Sequence, residues 1–319
     1  MDQQSRLQYF PVSFFAMVMG MSGLTLAWEK SHHVLHMPAY ISQALLFVTA
    51  GLFLLLAGLY LAKVLRCRPA VLKELGHPIT LSYVPTISIS MILLGICTLY
   101  AYPKISFALW AVGSAVHLIF TLYVMQVWMH HEHFEFHHIN PAWFIPIVGN
   151  ILIPIAGVPH GYAEISTFFF SIGLLFWIVL LGIIFNRVIF HQPLPGKLLP
   201  TLFILIAPPA IGFISYMRLT GDLDIFARVL YYSALFLTLL LLTQIPRFSK
   251  LQFFLSWWAY SFPMAAITIA TMLMYQQTHQ LFFKMLAFGL LGLITLLISF
   301  LLYRTLSAIR MRQICVDEA

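Results

Sequence analysis

Long apolar runs, each closed by a short polar stretch, recur along the whole chain. They lie at roughly residues 10–28, 39–62, 83–102, 105–128, 141–159, 164–185, 198–217, 224–244, 251–275 and 281–303. A helix needs about 20 apolar residues to cross the hydrocarbon core of a bilayer, so the pattern predicts ten crossings. The loops between them are too short to hold a soluble unit. Residues 1–319 therefore read as a single transmembrane domain of all-α class, with the first span retained rather than cleaved.

A second pattern lies inside the first. Pro11, Pro85, Pro146, Pro154, Pro208, Pro209 and Pro263 all fall in the odd-numbered runs, which also carry Gly20, Ser22, Ser88, Ser90, Asn150, Gly212 and Ser261. The even-numbered runs hold no interior proline and read smoothly, as in Leu-Phe-Leu-Thr-Leu-Leu-Leu-Leu at 235–242. Interrupted backbone at membrane depth persists only where protein or a water-filled cavity satisfies its polar groups. The expectation is five helical hairpins, with odd helices inside around a central pore and even helices outside. Pro263, in the middle of the ninth run, is expected to kink it beside Phe262.

Composition sharpens this picture. The chain is 61% hydrophobic and 8% charged, against about a quarter charged in soluble domains. The formal charge of +7 could point to nucleic acid in a soluble protein. Here the basic residues sit in loops and at span ends, so topology is the simpler explanation and no nucleic-acid partner is expected. Twelve of the 17 Lys and Arg residues, among them Lys63, Arg66, Lys73, Lys197 and Arg310, fall on the side of the termini. Both termini are thus expected in the cytoplasm, in a multi-pass protein of the inner membrane.

Candidate chemistry is sparse. Coupled transporters carry ionisable groups within their spans, and here His117, in an even run, is the clearest one. The scarcity of buried acids argues for a passive conduit. Phe262 beside Pro263 then reads either as a packed aromatic or as a ring that closes the bore, since an apolar constriction blocks ions by dewetting.

Cys67, Cys97 and Cys315 have no paired spacing, so no disulfide framework or zinc site is implied. The loop His130-His131-Glu132-His133-Phe134-Glu135-Phe136-His137-His138 could chelate Zn or Ni in principle. It reads more simply as a solvated loop. A di-iron enzyme would need a second cluster, and His32, His33 and His36 fall across the membrane from the first. No metal, cofactor or enzymatic activity is expected.

Several of these segments carry a resemblance. Trp257-Trp258-Ala259-Tyr260-Ser261-Phe262-Pro263 is similar to the ninth-helix motif of the tellurite-resistance/dicarboxylate transporter family, which includes bacterial TehA and the plant guard-cell slow anion channels. Phe10-Pro11-Val12-Ser13-Phe14-Phe15-Ala16-Met17 through Leu26-Ala27-Trp28 resembles its first helix. His77-Pro78, Pro141-Ala142-Trp143-Phe144-Ile145-Pro146 and Ala207-Pro208-Pro209-Ala210 are similar to motifs of its third, fifth and seventh helices. The resemblance covers nearly the whole chain. It implies five hairpins around a pore, a homotrimer with one pore per subunit, and Phe262 as the gate. It also sets Ala16 where a first-helix glycine faces the pore.

The expectation is therefore a passive channel for small anions such as chloride or nitrate, embedded in membrane lipid. Phe262 is its gate, and Ala16, Gly20, Pro85, Pro146, Pro154, Pro208 and Pro263 are its lining and kink positions. The alternative is a secondary transporter of C4-dicarboxylates or tellurite-type oxyanions.

Overall fold

The computed structural model describes residues 3–130 and 134–315. Among these residues the secondary structure is wholly helical. In chain order the α-helices are α1 Gln3–Gln8, α2 Phe15–Leu35, α3 Ala39–Arg66, α4 Arg68–Gly76, α5 Thr86–Cys97, α6 Pro103–His130, α7 Phe144–Val148, α8 Pro154–Gly157, α9 Ala163–Phe190, α10 Ala207–Thr220, α11 Ile225–Leu242, α12 Ile245–Phe248, α13 Ser261–Thr278 and α14 Leu281–Arg310.

Nine stretches among the described residues are long and apolar enough to cross a bilayer, against the ten expected. The difference is the fifth run. Pro141–Gly157 is a chain of short pieces: a 3-10 turn at Pro141–Trp143, α7, a second 3-10 turn at Gly149–Leu152, and α8. Three prolines within 14 residues remove the backbone donors that a continuous ladder needs.

The prolines do something other than kink long helices. Each interrupted run opens with 3-10 backbone, at Val12–Phe14, Thr80–Tyr83, Pro141–Trp143, Leu199–Ile206 and Leu255–Tyr260, and turns α-helical afterwards. Proline then stands at or just inside the α-helical start. Pro85 is the N-cap of α5, Pro154 the first residue of α8, Pro208 the second of α10 and Pro263 the third of α13. The first N–H groups of a helix have no intrahelical acceptor, so a residue without one loses nothing there. Pro263 therefore begins an α-helix instead of bending one.

Burial follows the same division. In the most apolar window of each span, 72–78% of residues are buried for those containing α2, α5, α10 and α13, against 22–39% for α3, α6, α9, α11 and α14. The buried segments touch in sequence: α2 packs on α5, α5 on Gly149–Leu152, that turn on α10, α10 on α13, and α13 back on α2. Small residues allow the close contacts. A Cβ built on Gly20 would lie 2.2 Å from Ser261 Oγ and 2.8 Å from its Cβ. Tryptophans fasten the exposed α14 to this core, Trp28 Nε1 donating to Thr295 Oγ1 at 3.1 Å and Trp258 Nε1 to Thr305 Oγ1 at 3.0 Å. Interhelical hydrogen bonds of this kind help hold helices together where no hydrophobic force separates protein from lipid.

Candidate functional site

A cavity of about 880 Å³ enters the molecule from the end where the N-terminal segment, α4 and residues 313–315 gather. Its walls come from all five interrupted segments: the 3-10 openings and first α-helical turns of four of them, and the stretch from Phe144 to Leu152 of the fifth. The last lining residue on α2 is Met19, on α5 Ile89, on α10 Ile211 and on α13 Pro263. Phe262 lines the cavity beside Pro263 and is 8% exposed. Its ring leans on α2: a Cβ added to Gly23 would approach Phe262 Cδ2 to 3.3 Å. A methyl group there would press on the ring and would meet Ala265 Cβ more tightly still, at 2.7 Å.

Of the residues singled out in the sequence, Ala16, Pro208, Phe262 and Pro263 come together on this cavity. Gly20, Pro85, Pro146 and Pro154 are not among its lining residues. Gly20 is a packing position under Ser261 and Trp258. Pro85 and Pro154 open their helices, and the Pro146 carbonyl accepts from Thr121 Oγ1 at 2.7 Å. These four shape the wall from behind.

The mouth carries three lysines, Lys63, Lys73 and Lys197, with Glu74 as the carboxylate among the lining residues. Lys63 is buried at the C-terminal end of α3, donates from Nζ to the Phe10 carbonyl at 2.8 Å and pairs with Glu74 Oε1 at 2.9 Å. Glu74 also accepts from Tyr60 Oη at 3.1 Å and from the Val12 N–H at 3.3 Å. This knot ties an exposed helix, α4 and the start of the first buried segment together at the rim.

The pair was not singled out in the sequence. A signal was present, since Glu74 is the only acid between Glu29 and Glu132 and follows four bases within eleven positions.

His117 is fully buried and does not reach the cavity. The Ser88 hydroxyl donates to the Pro85 carbonyl at 2.8 Å, so the imidazole Nδ1–H donates to Ser88 Oγ at 2.9 Å. Thr121 and Asn150 extend the contact to the broken fifth segment, Asn150 Nδ2 donating to Thr121 Oγ1 at 3.0 Å. His117 is a packing residue between α5, α6 and that segment.

Among the described residues no three His, Cys, Asp or Glu side chains converge as metal ligands. His131, Glu132 and His133 of the histidine-rich loop lie outside the described residues.

The family described as SLAC1, voltage-dependent anion channel, matches residues 9–306. The chain belongs to this family. Among curated SLAC1-family relatives, the S-type anion channel SLAH3 of Arabidopsis thaliana is 30% identical over 270 residues, covering 82% of this chain and 42% of the plant protein. An uncharacterized transporter of Methanocaldococcus jannaschii is 27% identical over 297 residues, covering 86% and 87% of the two chains. The tellurite resistance protein TehA homolog of Haemophilus influenzae is 24% identical over 260 residues, covering 81% and 79%. The chain spans about half the length of the plant channels SLAH3 and SLAH2 that it matches, 42% and 52%. The family and the nine apolar spans make this a multi-pass membrane protein.

Proposed function

We propose that the protein is a passive conduit for small inorganic anions such as chloride and nitrate, closed by the ring of Phe262. In this reading the broken Pro141–Gly157 segment completes a set of ten crossings in five hairpins, with the interrupted helices around the bore and the smooth ones against lipid. Residues 1–319 act as one transmembrane domain with both termini in the cytoplasm, so the cavity opens inward. The protein sits in the inner membrane as a homotrimer with one bore per subunit.

One observation carries the proposal. The cavity is walled by all five interrupted segments, and Phe262 lines it next to Pro263, the last lining residue on α13. Family membership and the names of the plant relatives support anions as the cargo. Selectivity fits the lining. Lys73 and Lys197 at the mouth attract anions, Lys63 being paired with Glu74, and the deeper wall offers backbone and hydroxyl dipoles, such as Thr86, without a fixed charge that would hold an ion tightly.

Electrophysiology of wild type and Phe262→Ala in mixed anions tests this. A steep rise in anion current on removing the ring is expected; unchanged conductance would remove Phe262 as the gate.

The second reading is a secondary transporter of C4-dicarboxylates or tellurite-type oxyanions; the archaeal relative's name supports transport and the Haemophilus relative's name tellurite. It requires saturable uptake that collapses with the proton gradient.

A further inference from the structure

The end of the molecule opposite the cavity carries its own charge cluster, on the far ends of the same buried helices. At 1.5 Å per residue, Lys30 lies about 16 Å beyond Met19 along α2, and Arg218 about 10 Å beyond Ile211 along α10. Lys30 Nζ donates to Gln276 Oε1 of α13 at 2.6 Å. Arg218 Nη2 donates to Tyr100 Oη, just past the end of α5, at 3.0 Å. Two cations thus bridge the ends of four buried segments through neutral acceptors, which leaves their charge uncancelled by these bonds.

The nearby acid is Glu29, half-buried beside Lys30 on α2 and within electrostatic range of Arg218. Asp224, on the neighbouring turn, is engaged elsewhere, accepting from Tyr216 Oη at 2.6 Å and the Ala227 N–H at 2.8 Å. The cluster therefore sets two basic side chains beside one acidic one, at the ends of helices whose opposite ends line the cavity.

We propose that Lys30 and Arg218 form a receiving site for small inorganic anions at this second mouth, and that Glu29 holds its affinity down by competing for the same two cations. The site rests on the conduit reading. A resident carboxylate is a sensible partner for a passing anion, because a site that is too strong would retain its ion and slow release. Steering by exposed charge acts on the rate of arrival and fades as salt screens it.

The test is anion current in membrane patches excised from giant spheroplasts, with nitrate supplied at one face at a time in a Phe262→Ala background. At about 10 mM salt, where the Debye length is about 30 Å, Arg218→Gln and Lys30→Gln should each lower current for anions arriving from this mouth about three- to tenfold. Arg218→Lys should retain it. Glu29→Gln should raise it by a similar factor. Arrival from the cavity side should stay unchanged in all four, which also shows that the variants fold, and the differences should vanish near 1 M salt, where the Debye length is about 3 Å. Equal changes in both directions, or none at low salt, overturn the receiving site while leaving the conduit. Absence of any anion current from wild type and Phe262→Ala alike overturns the conduit itself, and the site with it.

Discussion

Helices α13 and α14 are neighbours joined by a two-residue turn, yet they are built on opposite rules. The span containing α13 is the less apolar of the two, opens with 3-10 backbone and a proline, carries Ser261, Thr268 and Thr271, and buries 78% of its most apolar window. The span of α14 is unbroken and more apolar, and buries 33% of its window. In a water-soluble protein the greasier helix would be the buried one. Here the order is reversed. The outer solvent is hydrocarbon, so interior positions go to small, polar and irregular segments whose backbone groups other protein atoms can satisfy. The hydroxyls of Thr268 and Thr271 illustrate the local solution, each donating back to a carbonyl four residues earlier, at 2.7 and 2.8 Å.

The sharpest way to break this division is to cut the knot where the two classes of segment meet. Glu74→Gln would leave Lys63, 1% exposed, without its carboxylate. Removing one partner of a buried pair costs about 3–5 kcal/mol. The thermal midpoint in detergent should fall accordingly, and much of the loss should return in the double variant Lys63→Met/Glu74→Leu, which removes both charges. A single-variant midpoint within a degree of wild type would mean that the rim is held by something else.

Next in size is a charge on the face assigned to lipid. Leu296 of α14 is 72% exposed, and Leu296→Arg should cost about 2.5–3.5 kcal/mol of insertion free energy. Reduced membrane insertion is the readout, with Leu296→Phe as the neutral control. Normal insertion of the arginine variant would show that this face meets water or protein.

Glycines supply a finer comparison, because the same substitution meets a wall in one class and open space in the other. Gly20→Ala drives a methyl group into Ser261 and should destabilise by about 1–3 kcal/mol. Gly289→Ala on α14 meets nothing within 4 Å. There the better helix propensity of alanine should leave stability unchanged or raise it by up to about 1 kcal/mol. Equal effects at the two sites, measured as thermal midpoints, would erase the distinction between the classes.

The alternation of interrupted and smooth segments was legible in the sequence because membrane burial inverts the usual pattern and leaves prolines, serines and glycines as markers of the interior. The place of Phe262 on the cavity wall was legible for a local reason, a large ring next to a proline in a charge-free run. The 3-10 openings were not. Proline signals an interruption, but whether it bends a helix or begins one depends on which neighbouring carbonyls are already satisfied, and that is settled in three dimensions. The breaks within the fifth segment were illegible for the same reason, its hydropathy being adequate while its hydrogen-bond ladder is not. The Lys63–Glu74 pair left a trace, a lone acid close behind four bases, but the Lys30–Arg218 cluster joins residues far apart in the chain, and no spacing rule brings such positions together.

The smallest expected effect probes the turn between a buried helix and an exposed one. α10 ends at Gly221, whose φ of 77° is the left-handed conformation that glycine adopts without strain, and α11 begins with Asp224 as its N-cap. The Ala227 N–H and the Tyr216 hydroxyl both donate to the Asp224 carboxylate and hold its pKa below the usual carboxylate range. A carboxyl with a depressed folded-state pKa contributes stability above its unfolded value of about 3.9 and loses that contribution as the pH falls through the folded value. Asparagine caps a helix about as well as aspartate but cannot ionise. Wild type should therefore be slightly more stable than Asp224→Asn near neutral pH, with the gap closing progressively once the pH drops below about 5. The site is fully exposed, so the difference is a small shift in thermal midpoint. A gap that is constant from neutral to strongly acid pH would show that the carboxylate charge contributes nothing to this turn, and that the link between the two kinds of helix rests on Gly221 and the backbone alone.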